Sequence, residues 1–242
     1  SRHPPQFHPH PRGAAMSATM RVMPTNNTGA KVREMAAAYP HLLGHLMGPG
    51  GWRTPFLPYA LDNGAFPAWK NGAEWSPVAF YELCDQARAH EAATGDAPLW
   101  VVVPDVVGDK AETIKRWHAY APDLRSRYPG WPLAFAVQDG MHEGDVPKGY
   151  EAPEVIFVGG TTEWKWRTAS LWGYTFPRVH IGRVNSYSLL WRAYRAGAES
   201  CDGTGWFRGD RRQLAGLEQF LREWTAGHRQ HPQMLLLPPE VA

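Results

Sequence analysis

The stretch Leu99-Trp100-Val101-Val102-Val103-Pro104-Asp105 decides the fold. An unbroken apolar run rich in β-branched residues suits a strand buried on both faces, and the proline stops it. Asp109 then reads as an N-cap, with Glu112 three residues on completing a capping box, for a helix to about Arg127. Pro132–Val137 reads as the next strand. Strand, helix and strand at this spacing describe two parallel strands joined by a crossover.

The alternation continues in both directions. Upstream, Met20–Met23 reads as a strand, and Thr28–Tyr39 has helical spacing with Val32, Met35 and Ala36 on one face. Pro58–Leu61 reads as a strand, and Ser76-Pro77 opens a helix to about Thr94, with Ser as N-cap and Pro at N1. Downstream, Glu154–Val158 and Arg178–Ile181 read as strands, Ser186 to about Ala196 as a helix ended by Gly197, and Ala198–Cys201 as a last strand. Asp210 or Arg211 opens a final helix to about Ala226. An eighth strand falls near His41–Met47 or Trp172–Phe176. The pattern predicts an α/β protein, a (β/α)8 TIM-like barrel over residues 20–226, as a single domain. No Gly-x-Gly-x-x-Gly follows the first strand, which disfavours a dinucleotide-binding sheet. Residues 1–19, rich in Pro and His, read as a disordered leader with Met16 or Met20 as a native start, and residues 227–242 as an irregular tail.

Composition narrows the function classes. An apolar fraction of 43% in 242 residues supports a real core. With 25 Lys and Arg against 23 Asp and Glu, the net charge of +2 does not by itself indicate nucleic acid. The two cysteines, Cys84 and Cys201, provide neither a disulfide framework nor a Cys-x-x-Cys zinc site. No apolar run approaches the roughly 20 residues of a membrane span, and no signal peptide is visible. These features suggest a soluble protein of a reducing compartment.

The chemistry lies at the strand ends. Asp62, Asp105, Gln138, Gly159-Gly160 and Asp202 each follow or close a strand, and a barrel brings such positions to one mouth. A single Asp there is often only a helix cap, and Asp109 is best read that way. Asp202, in Cys201-Asp202-Gly203-Thr204-Gly205, has glycines that give an approaching molecule room. No His-x-His or His-Glu-x-x-His occurs, so a catalytic metal is disfavoured, and His180 reads as a strand or core histidine. Paired carboxylates without a metal suit chemistry at an anomeric carbon. Asp, Gln and backbone amides also fit a guanine edge: Asp accepts from N1–H and N2–H2, and Gln and a Gly N–H donate to O6.

These segments resemble the tRNA-guanine transglycosylase superfamily between about Met20 and Arg208. Leu61-Asp62-Asn63-Gly64-Ala65-Phe66 is similar to its Asp-Ser-Gly-Gly-Phe/Tyr segment, Val103-Pro104-Asp105 to its Pro-Asp turn, and Ala136-Val137-Gln138-Asp139-Gly140 to its Val-Gln-Gly-Gly turn. Val158-Gly159-Gly160 falls where the family has its base-contacting Gly, and His180-Ile181-Gly182-Arg183-Val184 through Cys201-Asp202 follows its order of strand, helix and nucleophile. The resemblance implies that Asp202 attacks C1′, Asp62 handles the proton, Asp105, Gln138 and Gly159 or Gly160 read the base, and Phe66 stacks on it. No set of three Cys and a His for the family's zinc site occurs in the sequence, and Asp202 is followed by Gly-Thr-Gly-Trp instead of an apolar-Pro-Thr-Arg run. The compact form resembles the DNA-modifying branch, the 7-deazaguanine DNA transglycosylases of phages and bacteria.

The resemblance implies a transferase without cofactor or metal that works in a bacterial or phage-infected cytoplasm. Its partners would be DNA, with tRNA as the lesser candidate, and a free 7-deazaguanine such as the 7-cyano form; it allows a homodimer. A guanine in a duplex must be flipped out before attack. Trp164-Lys165-Trp166-Arg167 are expected to supply a stacking wedge and phosphate contacts, with Arg183, Arg208, Arg211 and Arg212 extending a basic rim. Two other classes compete. One is a carbohydrate glycosidase that reuses Asp62 and Asp202, and the other is a nucleic-acid-binding protein whose carboxylates are only caps.

Overall fold

In the computed structural model, residues 19–209 and 211–231 are described. The expected leader and most of the expected tail, and Asp210 as a helix start, lie outside them. Eight strands form one all-parallel sheet: β1 Arg21–Pro24, β2 His45–Met47, β3 Tyr59–Leu61, β4 Val101–Val102, β5 Leu133–Val137, β6 Val155–Val158, β7 Val179–Ile181 and β8 Ser200–Gly203. The order runs from β1 through β8 and back down to β2. Parallel bridges Val22↔Leu43 and Thr25↔Leu46, with Gly44 N–H donating to Val22 O at 3.1 Å, close β1 onto β2. The (β/α)8 TIM-like barrel is therefore the fold.

Among the described residues, seven helices accompany the strands: α1 Ala30–Ala38, α2 Ala65–Lys70, α3 Pro77–Thr94, α4 Lys110–Arg127, α5 Thr162–Thr175, α6 Tyr187–Arg195 and α7 Arg211–Thr225. They are unevenly spread. The β2–β3 connection carries no helix, the β5–β6 connection only two short 3-10 turns, and the β3–β4 connection carries two helices. The eighth strand is the His41–Met47 option; Trp172–Phe176 lies at the end of α5. Helices α2 and α5 are additions to the sequence reading. Ser76 caps α3 by accepting from Ala79 N–H at 3.1 Å, and Ser186 caps α6. Asp109 caps α4 by accepting from Glu112 N–H at 3.0 Å. The expected reciprocal half of the box is not seen, because Asp109 N–H donates to Val106 O.

Alternation along each strand sorts the side chains. Val22, Leu61, Val101, Phe135, Ile156, Ile181 and Cys201 face the helices in the larger core. Met23, Leu46, Ala60, Trp100, Val102, Ala134, Ala136 and Val155, with Phe157 packed against them, fill the barrel. Three alanines leave room for Trp100, Phe157 and His180, which lie together with ring centroids 4.8–6.0 Å apart. The same alternation turns Ser200 and Asp202 inward on β8, beside His180 on β7. A polar pair thus enters an apolar barrel at its C-terminal end.

Candidate active site

On the β8 side, Asp202 is buried. Its Oδ2 lies 2.8 Å from His180 Nε2, and its Oδ1 accepts from Arg183 N–H at 3.1 Å. His180 Nδ1 is 2.8 Å from Ser200 Oγ. The arrangement is satisfied when the Ser200 hydroxyl donates to Nδ1 and Nε2–H donates to Asp202. It reverses the order of a hydrolase triad, in which the nucleophilic Ser meets Nε2 and the carboxylate meets Nδ1. Ser200 is also fully buried one pleat deeper than Asp202, so Asp202 is the member that can meet a substrate.

The loop after β7 is shaped around this carboxylate. Arg183 has φ 56, a left-handed conformation that a non-glycine residue rarely adopts. The turn aims its N–H at Asp202, while its guanidinium donates to Gly160 O and lies 4.4 Å over the Phe66 ring. Beneath it, Lys165 Nζ donates to Gly182 O at 2.6 Å and Arg183 O at 3.2 Å. Burial and the nearby Arg183 charge lower the Lys165 ammonium to about 8. After Asp202, a Cβ on Gly203 would stand 2.5 Å from Asn185 Oδ1 and 2.6 Å from Val184 O, so only glycine fits there.

Across the mouth, Asp62 follows β3 and accepts from Asn63 N–H at 2.9 Å. Burial pushes its carboxyl up to about 7, and the charges of Asp202 and Asp105 raise it further than its backbone hydrogen bonds lower it. Gly64, at φ 77, then turns the chain into α2. Asn63 Nδ2 donates to Val103 O at 3.0 Å and to Asp105 Oδ1 at 2.8 Å, tying the β3 and β4 ends together. Burial raises Asp105, against the Asn63 hydrogen bond and the Arg116 charge, which lower it. Gln138 Nε2 donates to Thr113 Oγ1 at 2.7 Å and more weakly to Asp105 Oδ2 at 3.4 Å, and its Oε1 accepts from Gly108 N–H. The 3.4 Å contact is the one an entering oxygen would most readily replace. Gly159 N–H donates to Val137 O, and Gly160 turns at φ 77 against Asp139 and Trp164.

The barrel therefore brings Asp62, Asp105, Gln138, Gly159-Gly160, Phe66, Arg183 and Asp202 to its C-terminal face. It leaves Trp164, Lys165 and Trp166 out of reach of a nucleic acid. All three are buried on α5, which corrects the expected stacking wedge and the Lys165 phosphate contact. The physical reason is helical spacing: Trp164, Ala169 and Trp172 share the face packed on the barrel. Arg167 is exposed and pairs with Glu163 on its own helix. Arg208, Arg211 and Arg212 are exposed. Sequence reasoning missed Asn63, Thr113 and Ser200 and gave His180 no role; the inward period of β7 and β8 was the signal for the last two. Among the described residues, no cluster of His, Cys, Asp and Glu fits a metal ion, and no helix is long and apolar enough to cross a membrane.

No protein-family model matches this chain, and no curated protein matches it.

Proposed function

We propose that the protein is a transglycosylase that exchanges guanine in DNA for a free 7-deazaguanine. The observation that carries the reading is one mouth holding two aspartates in opposite surroundings. Asp202 accepts from His180 and Arg183 N–H, which leaves it ready to give electrons. Asp62, pushed up to about 7, can hold a proton at neutral pH and release it. Asp105, Gln138 and Gly160 follow β4, β5 and β6, the strands next in order after the β3 strand that carries Asp62, and Asp105 and Gln138 have the acceptor and donor atoms to read an edge bearing N1–H, N2–H2 and O6.

The chemistry then balances. A flipped guanine enters, and an Asp202 oxygen attacks C1′ as the C1′–N9 bond breaks. Protonated Asp62 supplies the proton that the departing base takes. In the return half, the carboxylate of Asp62 removes the N9–H proton of the incoming 7-deazaguanine, whose nitrogen displaces Asp202 from C1′. The resemblance of the strand-end motifs, which is with the DNA-modifying branch, supports the transglycosylase reading.

The test is incubation with DNA, with tRNA and with 7-cyano-7-deazaguanine, followed by nucleoside mass spectrometry. The deazaguanine nucleoside should appear in DNA. Its absence from both polymers would sink the proposal, and its appearance only in tRNA would move the reading to the tRNA branch.

A further inference from the structure

Of the 12 tryptophans, nine are buried, Trp52 and Trp75 are half-buried, and Trp69 is exposed, at 60%. It lies on α2, in the same β3–β4 connection that carries Asp62. Its ring is 5.8 Å from that of Phe66 at an interplanar angle of 35°. Phe66 in turn lies under the Arg183 guanidinium at 4.4 Å. A staircase of flat groups thus runs from the loop that holds Asp202 outward to solvent, and the indole is its outermost step. Lys70 beside it is exposed and forms no ion pair among the described residues. An indole left in water at that place, on a chain that buries nearly every other one, calls for a flat apolar partner.

Resting on the guanine-exchange reading, we propose that Trp69 is the stacking platform for the nucleobase next to the extruded guanine. When a base leaves the stack, its neighbour loses a partner on one face. An aromatic ring beside the pocket restores that contact without regard to which base it is. Lys70 meets the phosphate that follows, and Phe66 is left for the guanine itself. The enzyme then engages the modified strand at two successive nucleotides, with the chemistry at one and a sequence-blind stack at the other.

The test uses single-stranded and duplex oligonucleotides with one guanine, each made intact or with an abasic site on one side of it, and 7-cyano-7-deazaguanine as the incoming base. Trp69→Ala should lower kcat/KM on the intact strand about tenfold, mainly through KM, within the range one base–aromatic stack is worth. Trp69→Phe should recover most of this. An abasic neighbour on the stacked side should cost the wild type a similar factor and cost Trp69→Ala little more. Tyr174→Ala, an exposed aromatic near the opposite end of the barrel, should behave as the wild type. If Trp69→Ala exchanges normally, or if its loss and that of the abasic site multiply, this inference falls alone. If the wild type exchanges no base in any oligonucleotide, the guanine-exchange reading falls and takes this one with it.

Discussion

Two sides of the barrel mouth each carry an aspartate, Asp202 buried and Asp62 half-buried, and they treat it in opposite ways. On the β8 side, Asp202 meets an imidazole and a backbone N–H, and a buried lysine holds the loop that supplies the second donor. On the β3 side, Asp62 has only backbone donors and stands in the field of two other carboxylates. In the proposed exchange the same side chain would serve as an electron-pair donor in one place and as a proton carrier in the other. Environment, not residue type, assigns the roles.

The largest expected effect breaks the donor side. Asp202→Asn should remove exchange altogether, a fall of at least about 10⁴-fold, as expected when a covalent nucleophile is lost. A denaturing gel of enzyme trapped on a guanine oligonucleotide should lose its shifted band; a surviving adduct would assign the nucleophile elsewhere.

Asp62→Asn tests the other side and should lower turnover about 10²–10⁴-fold. It should also stabilise the fold. Between about pH 4 and 7 the native protein keeps a proton on Asp62 that the unfolded chain has released, so wild-type stability falls as pH rises through that window. Asn carries no charge to bury. The variant should melt higher than the wild type at pH 8, by an amount worth up to about 4 kcal/mol, and the gap should close toward pH 4. Equal melting temperatures at pH 8 would contradict the elevated carboxyl.

His180→Gln sharpens the contrast, because His180 touches Asp202 and not the substrate. As a positioning residue it should lower kcat about 10–100-fold with KM nearly unchanged. A change confined to KM would argue against that role. The smallest effect concerns Lys165→Met. Loss of its two carbonyl contacts should loosen the 182–183 turn and slow exchange about tenfold. The salt dependence of DNA binding should stay as in the wild type, because the ammonium is buried. A shallower salt slope would return Lys165 to the phosphate rim.

Much of this mouth was legible in the chain. Asp62, Asp105, Gln138 and Asp202 announce themselves because a parallel barrel brings the residue that closes each apolar strand to its C-terminal mouth. Trp164-Lys165-Trp166-Arg167 misled because interleaved aromatic and basic residues read the same on a rim and on an amphipathic helix. The choice was made by the face that α5 packs on the barrel. Trp69 went unnoticed for the converse reason: nothing in Phe66-Pro67-Ala68-Trp69-Lys70 says that this one indole stays outside.

By itself the sequence determined the parallel barrel and the members of its mouth, since both follow from local periodicity and from which residue ends each strand. Tertiary structure alone decided the surroundings of those members. The pairing of His180 with Asp202 joins neighbouring strands 22 residues apart. The raised carboxyl of Asp62 comes from desolvation and from the charges of Asp202 on β8 and of Asp105 just after β4. Closing the barrel creates both, because only then does water leave and do distant side chains share one low-dielectric space.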